Sequence, residues 1–189
     1  MDVIEAILTR RSIRKYKPDP VSEKDLSTIL EAARWAPSWA NTQCARFIII
    51  KDKQVKSELV ETMSANNPGR YALQSAPLII VACGELKKSG YKRGEVSTDK
   101  GDWFMFDVAL AMENMVLAAQ ALGLGTVYLG LFDAVKAAKI LKVPEGFAVV
   151  AMTPLGYADE KAMAPVRKQL SEIVFNNHWG ETLLQHIVE

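Results

Sequence analysis

Residues 103–129 read WFMFDVALAMENMVLAAQALGLGTVYL, a long apolar helical stretch that runs into two glycines and then a strand. Three polar residues, Asp107, Asn114 and Gln120, recur at nearly heptad spacing on an otherwise apolar cylinder. Such a helix is buried on most sides, either at the centre of a domain or against a partner chain. Polar and charged residues within the stretch argue against a membrane span. Gly123 is the expected stop of the helix.

The glycines after this helix do not form a dinucleotide-binding motif. A Rossmann fingerprint opens a helix after a strand, and it needs a third glycine where this chain has Tyr128. Here the helix comes first and the strand follows, so we reject that interpretation. We expect the glycines to let the backbone turn closely beside the core or a ligand.

The elements around the long helix predict the fold class. Short strands are predicted at 47–50, 78–83, 126–129 and 147–152. Ser22, Asp52 and Asp133 are expected to cap the helices that follow them, because their side-chain oxygens can accept free backbone N–H groups. The segment 87–102 has little periodicity and is predicted to be a mobile loop over a site. Helices and strands alternate imperfectly, which predicts an α+β domain with three layers.

The bulk composition excludes several classes of protein. A chain of 189 residues with 49% hydrophobic and 24% charged residues is typical of one globular domain. A formal net charge of +1 argues against a nucleic-acid binder. The N-terminus lacks the basic and apolar regions of a signal peptide, and the two cysteines form no metal or redox motif. We therefore expect a cytoplasmic protein that is not bound to a membrane.

A basic cluster, Arg10-Arg11-Ser12-Ile13-Arg14, follows a short amphipathic helix near the N-terminus. Planar guanidinium groups and a hydroxyl suit a phosphate, because each arginine can make two charge-assisted hydrogen bonds to its oxygens. The alternative is that these cations only stabilise the C-terminus of the helix. The cluster by itself leaves both interpretations open.

Two further polar segments stand elsewhere in the chain. The loop 36–43, APSWANTQ, presents donors and acceptors that could contact the edge of a polar heterocycle, or it could simply cap the preceding helix. The segment 153–157, TPLGY, is followed by the basic pair Arg167-Lys168. This pair could share one phosphate with the first cluster, or it could be ordinary surface charge.

Sequence patterns for direct protein catalysis are missing. His178 and His186 have no usual metal-ligand spacing, and the chain has neither a nucleophile elbow nor a Walker loop. The sequence therefore predicts no metal site and no catalytic side chain. If the protein is an enzyme, a bound cofactor is expected to carry the reaction.

Taken in order, these segments resemble the nitroreductase family of FMN-dependent flavoproteins. The matching motifs are R-R-S-x-R at 10–14, A-P-S-x-x-N-x-Q at 36–43, L-G-L-G-T at 122–126, and the late P-x-G-Y and basic-pair segments. The resemblance implies a mixed, mostly antiparallel sheet around a long central helix. It also implies that 1–189 form a single domain, with a tail from about residue 175 that packs on a partner subunit.

The resemblance assigns the basic residues to bound FMN. It implies that the phosphate is held by four side chains: Arg10, Ser12, Arg167 and Lys168. Arg11 would be shared between the phosphate and the ribityl chain. Arg14 would lie near the N1/C2 edge of the flavin ring, where a fixed positive charge stabilises the reduced, anionic ring.

The resemblance also implies an obligate homodimer with the active site at the interface. Pro37, Ser38 and Asn41 would reach the flavin of the other subunit, and Leu155 and Gly156 would pack by the ring. One departure concerns the residues after Gln43, where relatives often have Pro-Trp and this chain has Cys-Ala. The substrate range is expected to differ accordingly.

The implied activity is electron transfer from NAD(P)H through FMN to a nitroaromatic, a quinone or a similar conjugated acceptor, by a ping-pong mechanism. A specialised relative, such as a dehalogenase, a dehydrogenase or a flavin-fragmenting enzyme, is the alternative within the family. A non-catalytic flavin-binding or anion-binding module is the alternative outside it. Rapid bleaching of the flavin by NADH or NADPH would separate an enzyme from a module.

Overall fold

The predicted strands lie in one sheet in the computed structural model, which describes residues 1–181. Strand β1 (Ala45–Ile50) pairs with β2 (Leu78–Glu85), and β2 pairs with β6 (Phe147–Gly156). The short strand β5 (Gly125–Thr126) pairs with the other edge of β6. All three pairings are antiparallel, whereas Ser12 forms a parallel bridge to Thr126, so the sheet is mixed and mostly antiparallel as expected.

Helices cover both faces of this sheet. Their bounds are α1 (Val3–Thr9), α2 (Glu23–Arg34), α3 (Lys53–Val60), α4 (Gly69–Ser75), α5 (Phe104–Ala121), α6 (Ala134–Ile140) and α7 (Leu170–Ile173). The three predicted caps are confirmed: the side chains of Ser22, Asp52 and Asp133 accept the backbone N–H of the third residue beyond each. These hydrogen bonds satisfy donors that the first turn of a helix otherwise leaves free.

The sheet separates two apolar cores, which makes the fold three-layered. Along β2, side chains alternate between the faces because successive residues of a strand point in opposite directions. Leu78 and Ile80 pack into the core under α2 and α5. Ile79 and Val81 pack into the core that contains Leu59 and other residues of α3, α4 and α6. The predicted α+β, three-layer architecture is confirmed.

Helix α5 is the central helix of its layer. Its polar stripe ties it to two neighbouring helices: the Asn114 amide donates to the Ala32 carbonyl of α2 at 3.2 Å, and the Gln120 amide donates to the Thr9 hydroxyl of α1 at 3.2 Å. The helix is long and apolar enough to cross a membrane by composition alone. Buried residues such as Met112 and Met115 instead pack within the domain.

Two elements differ from the sequence-based expectation. Helix α3 ends at Val60, and a further helix that the sequence did not predict, α4, begins at Gly69, the last residue of the Asn-Asn-Pro-Gly stretch. The segment 87–102, predicted as an irregular mobile loop, contains a small hairpin of β3 (Tyr91–Lys92) and β4 (Glu95–Val96). Ser89 in this segment is fully buried, and its carbonyl accepts the backbone N–H of Trp103 at 3.0 Å. The hairpin is a feature that the sequence did not predict, and Ser89 anchors the segment to the domain. The mobility of the segment and its place over a site stay predictions.

The amphipathic helix α1 leaves its apolar face uncovered in the single chain. Ala6 is buried, but the large apolar residues of the helix are each at least half exposed: Val3, Ile4, Ile7 and Leu8. The expected packing of the C-terminal tail concerns Leu183, Leu184, Ile187 and Val188, which lie outside the described residues.

Candidate functional site

The first basic cluster lies against the edge of the sheet. Helix α1 ends at Thr9, and the chain then runs beside β5, where the Ile13 N–H donates to the Thr126 carbonyl at 2.9 Å. Gly125 permits this close approach, because a Cβ atom there would lie 2.8 Å from Cγ1 of Ile13. Gly123, at φ +77°, makes the turn out of α5. The predicted role of these glycines, a tight turn beside the core, is confirmed.

A second, long-range pairing brings the late basic segment to the same place. The Lys17 N–H donates to the Tyr157 carbonyl, and the Asp159 N–H donates to the Lys15 carbonyl, each at 2.9 Å. Tyr16 and Ala158 form an antiparallel bridge between them. The chain beyond Ala158 therefore runs back alongside residues 10–14.

The two clusters line one cavity of about 440 Å³. We call it the cationic cavity, and its lining residues are Arg10, Arg11, Ser12, Arg14, Glu160, Ala162, Met163, Pro165 and Arg167. Lys168 is exposed and does not line it. The structure thus joins residues that are more than a hundred positions apart in the sequence.

The guanidinium groups of the cationic cavity differ in their partners. Among the described residues, Arg10, Arg14 and Arg167 form no ion pair with a carboxylate. The Arg11 guanidinium instead donates to the carbonyls of Leu8 and Arg10 at 2.8 and 2.7 Å. The alternative role of the cluster, interaction with the C-terminus of α1, therefore holds for Arg11.

One acid, Glu160, lines the cationic cavity. Its carboxylate accepts the backbone N–H of Arg14 and, at 3.2 Å, the backbone N–H of Lys15. The buried Tyr16 hydroxyl donates to the Ile13 carbonyl at 2.6 Å. Burial and the nearby Glu160 carboxylate raise the pKa of Tyr16, so its hydroxyl keeps the proton that it donates. Both contacts fix the backbone that carries the arginines.

Arg14 also lines a second cavity, of about 370 Å³. We call it the adjoining cavity. Its other lining residues are Met63, Ser64, Asn66, Asn67, Pro68, Gly69, Val127, Tyr128, Leu129, Gly130 and Leu131. The Asn67 amide donates to the Leu131 carbonyl at 3.0 Å, which joins the two loops that form its walls. The sequence signal for this loop is a pair of amide side chains beside a Pro-Gly dipeptide at residues 66–69.

The loop 37–43 lies elsewhere on the chain. Pro37 and Ser38 line a third cavity, of about 250 Å³, which shares no lining residue with the cationic cavity. Asn41 is exposed in a single 3₁₀ turn, Trp39–Asn41. Within one subunit, the structure does not bring this loop to the basic residues.

Ala45 and Arg46 also line this third cavity. The Arg46 guanidinium donates to the Gln43 carbonyl at 2.7 Å and pairs with Glu85 at 3.1 Å. Its charge is therefore partly engaged within the chain.

Leu155 and Gly156 lie on β6, which pairs with β5, and β5 carries the bridge to Ser12 of the cationic cavity. Leu155 is fully buried and pairs with Thr126 of β5. A Cβ atom on Gly156 would meet Cδ of Pro77 at 2.5 Å. Neither residue lines the cavities described above, and their predicted contact with a flavin ring stays a prediction.

Comparisons with known proteins show the family of the chain. A model of the nitroreductase family matches residues 7–157. A provisionally named NADH dehydrogenase/NAD(P)H nitroreductase of Archaeoglobus fulgidus is 34% identical over 165 residues, which cover 85% of this chain and 88% of that relative.

Two solved structures share the fold and are each 28% identical in sequence. The NADPH:FMN oxidoreductase of Vibrio harveyi, in complex with NAD⁺, superposes with a TM-score of 0.81 over 98% of this chain and 81% of that one. An FMN-dependent nitroreductase of Clostridium difficile gives a TM-score of 0.77 over 93% of this chain and 99% of that one. The likeness extends over nearly the whole chain.

Proposed function

The chain belongs to the nitroreductase family, and from that premise we propose that it is an FMN-dependent oxidoreductase. In this proposal electrons pass from NAD(P)H through the flavin to a nitroaromatic, a quinone or a similar conjugated acceptor. Relatives named for NADPH-flavin and FMN reduction support the cofactor and the reductant.

The observation that carries the proposal is the convergence of both basic clusters on the cationic cavity. Guanidinium groups without a carboxylate partner among residues 1–181 suit a phosphate monoester, which accepts several charge-assisted hydrogen bonds at once. The Ser12 hydroxyl adds a neutral donor. The carboxylate of Glu160 is occupied by two backbone N–H groups. The residues present therefore fit the phosphate end of FMN, with Arg10, Ser12 and Arg167 as its principal ligands.

The adjoining cavity is our candidate for the flavin ring. FMN carries a phosphate at one end and a flat heterocycle at the other, and Arg14 lines both the cationic and the adjoining cavity. The exposed Asn66 amide, which lines this cavity, offers a donor and an acceptor to a heterocycle edge, whereas the Asn67 amide is bound to the Leu131 carbonyl and the Gly69 N–H. In this arrangement the Arg14 charge would stabilise negative charge on the reduced ring.

The protein itself binds FMN and orients it and its substrates. When bound, FMN supplies the redox chemistry, because it can take up a hydride and release its electrons to a second substrate. Hydride transfer needs no acidic or basic side chain, so we propose no catalytic residue. The roles proposed for Arg11, Lys168, Leu155 and Gly156 rest on the family resemblance alone.

We further propose that the chain acts as a homodimer with a site at each end of the interface. The exposed apolar face of α1 supports this, because obligate dimers bury such surfaces. The loop 37–43, which does not line the cationic cavity, would then contact the partner's flavin through Pro37, Ser38 and Asn41. Two buried free cysteines are consistent with the reducing cytoplasm.

Anaerobic reduction tests the proposal. NADH or NADPH added to the FMN-loaded protein should bleach the flavin absorbance, and a quinone should restore it. Steady-state double-reciprocal plots should be parallel, because one flavin face admits one flat ligand at a time. A flavin that NAD(P)H leaves unreduced would indicate a binding module instead.

A further inference from the structure

Asp107 is a buried acid that the proposed chemistry does not use. Its side chain lies in the first turn of α5, and its residue is 2% exposed. Among the described residues it has no cationic partner. A buried carboxylate is costly unless hydrogen bonds replace its hydration. The groups that donate to Asp107 therefore indicate its role.

Three of its donors come from the loop after α2. The Trp39 N–H donates to both carboxylate oxygens, at 3.0 and 3.2 Å, and the Thr42 hydroxyl donates to Oδ2 at 3.3 Å. The Cys44 thiol donates to the same oxygen at 3.5 Å. Burial and the Asp107 carboxylate raise the pKa of Cys44 to about 12, which keeps the thiol protonated as a donor.

The loop that these bonds hold has an unfavourable backbone. Ala40, Asn41 and Gln43 have φ values of 46°, 56° and 51°. These values lie in the left-handed region, which residues other than glycine adopt infrequently. Such conformations persist only where surrounding contacts impose them. Asp107 supplies such contacts through its bonds to Trp39 and Thr42, on either side of Ala40 and Asn41, and the Gln43 N–H adds a bond within the loop to Oγ of Ser38 at 2.9 Å.

The fourth donor comes from the segment that carries the hairpin. The Ser89 hydroxyl donates to Oδ2 of Asp107 at 2.6 Å. Beyond Ser89, the Lys92 ammonium of β3 lies 5.9 Å from the centroid of the Trp39 ring. The carboxylate therefore joins two segments that are far apart in the sequence and contact each other on the surface.

We propose that Asp107 is a positioning residue that holds the loop 37–43 and the hairpin segment 87–103 in one arrangement. Its function is to hold the exposed turn at Ala40 and Asn41 in the conformation in which it lines the partner's flavin site, where the acceptor also binds. This inference rests on the proposed function, in which that turn serves the flavin of the partner subunit.

Substitution of Asp107 in the FMN-loaded protein tests the inference. Asp107→Ala should speed hydrogen exchange of the Trp39 amide by about tenfold or more, because that amide loses its acceptor. It should raise the KM for menadione about tenfold and change kcat by less than about threefold, because the loop orients the acceptor and takes no part in electron transfer.

Two variants separate positioning from stability. Asn114→Ala removes a hydrogen bond of the same helix to α2, and it should leave both the KM and the Trp39 exchange rate within about twofold of the parent. Asp107→Asn should fall between the parent and Asp107→Ala, because its amide oxygen still accepts the Trp39 N–H, whereas its NH₂ group cannot accept the hydrogens of Thr42, Cys44 and Ser89 that Oδ2 accepts. Equal KM values in Asp107→Ala and Asn114→Ala, or an Asp107→Asn variant as impaired as Asp107→Ala, would overturn the inference.

Milder variants apply if Asp107→Ala does not fold. Thr42→Val and Ser89→Ala each remove one donor, and each should raise the KM and the exchange rate about threefold. The exchange measurement does not depend on turnover. If the parent does not oxidise NAD(P)H, the proposed function fails, and the Trp39 exchange rates in these variants still decide whether Asp107 holds the loop.

Discussion

At the scale of single residues, the proposed site depends on guanidinium groups that the folded chain leaves without carboxylate partners. The sequence marks both clusters as candidate phosphate ligands, and it also allows the plainer roles of helix capping and surface charge. Arg11 shows why the residue type cannot decide between them: its guanidinium contacts the carbonyls at the end of α1, while Arg10 beside it has no such contact. The distinction depends on side-chain direction, which only the folded structure fixes.

Arg10→Ala and Arg167→Ala should each weaken FMN binding by about 10- to 150-fold. Each loses charge-assisted hydrogen bonds worth about 1.5–3 kcal/mol, and each 1.4 kcal/mol is a factor of ten in Kd. Quenching of flavin fluorescence gives the Kd. Arg14→Ala should instead mainly lower the flavin reduction potential and leave the phosphate contacts of Arg10 and Arg167 intact. Parental affinity in both Arg10→Ala and Arg167→Ala would contradict the phosphate assignment.

The buried Cys44 thiol should make stability fall in alkali. Its pKa is about 12 in the folded protein and close to the ordinary value of 9 in the unfolded chain, so above pH 9 only the unfolded state releases this proton. The free energy of unfolding therefore contains a contribution from Cys44 that is constant below pH 9 and decreases above it. In urea titrations between pH 8 and pH 10.5, the free energy of unfolding of the parent should fall relative to that of Cys44→Ala as the pH rises. A constant difference would show that the thiol titrates alike in both states.

At the scale of elements, local signals predict the capped helices and the buried strands well. The hairpin of β3 and β4 is missed because each strand has only two residues, too few for a period-two pattern. Its turn places Arg93 and Gly94 at φ 51° and 83°, and the glycine is the one local sign of it. The joining of the basic clusters is missed for another reason. It depends on backbone bonds between residues 15–17 and 157–159, which no local pattern encodes.

Gly125→Ala should destabilise the domain by about 1–3 kcal/mol, because the new Cβ would overlap Ile13. It should also weaken FMN binding, since Ile13 lies between Ser12 and Arg14. Gly130→Ala is the control for stability, because nothing lies within 4 Å of its Cβ position. Urea unfolding should separate the two variants, and equal stabilities would mean that the 10–14 segment can shift away from β5 at little cost.

At the scale of the whole molecule, the proposed site requires a second subunit. The apolar face of α1 is exposed, and the cavity that Pro37 and Ser38 line is separate from the cationic cavity. Light scattering at micromolar concentration should therefore give the mass of a dimer, twice 20.9 kDa. Ile4→Glu on the exposed face of α1 should shift the equilibrium towards monomer, whereas Lys24→Glu on the exposed face of α2 should not. A flavin-loaded, active monomer would contradict the interface site.

The proposed function requires that both basic clusters form one site for the phosphate of FMN. A direct test is to titrate the flavin-free protein with FMN and with riboflavin, which has the same ring and ribityl chain but no phosphate. If the clusters hold the phosphate, FMN should bind at least about 100-fold more tightly, as expected for two or more charge-assisted hydrogen bonds. The preference should shrink in Arg10→Ala and in Arg167→Ala. Equal affinities for FMN and riboflavin would show that the two basic clusters do not bind the phosphate.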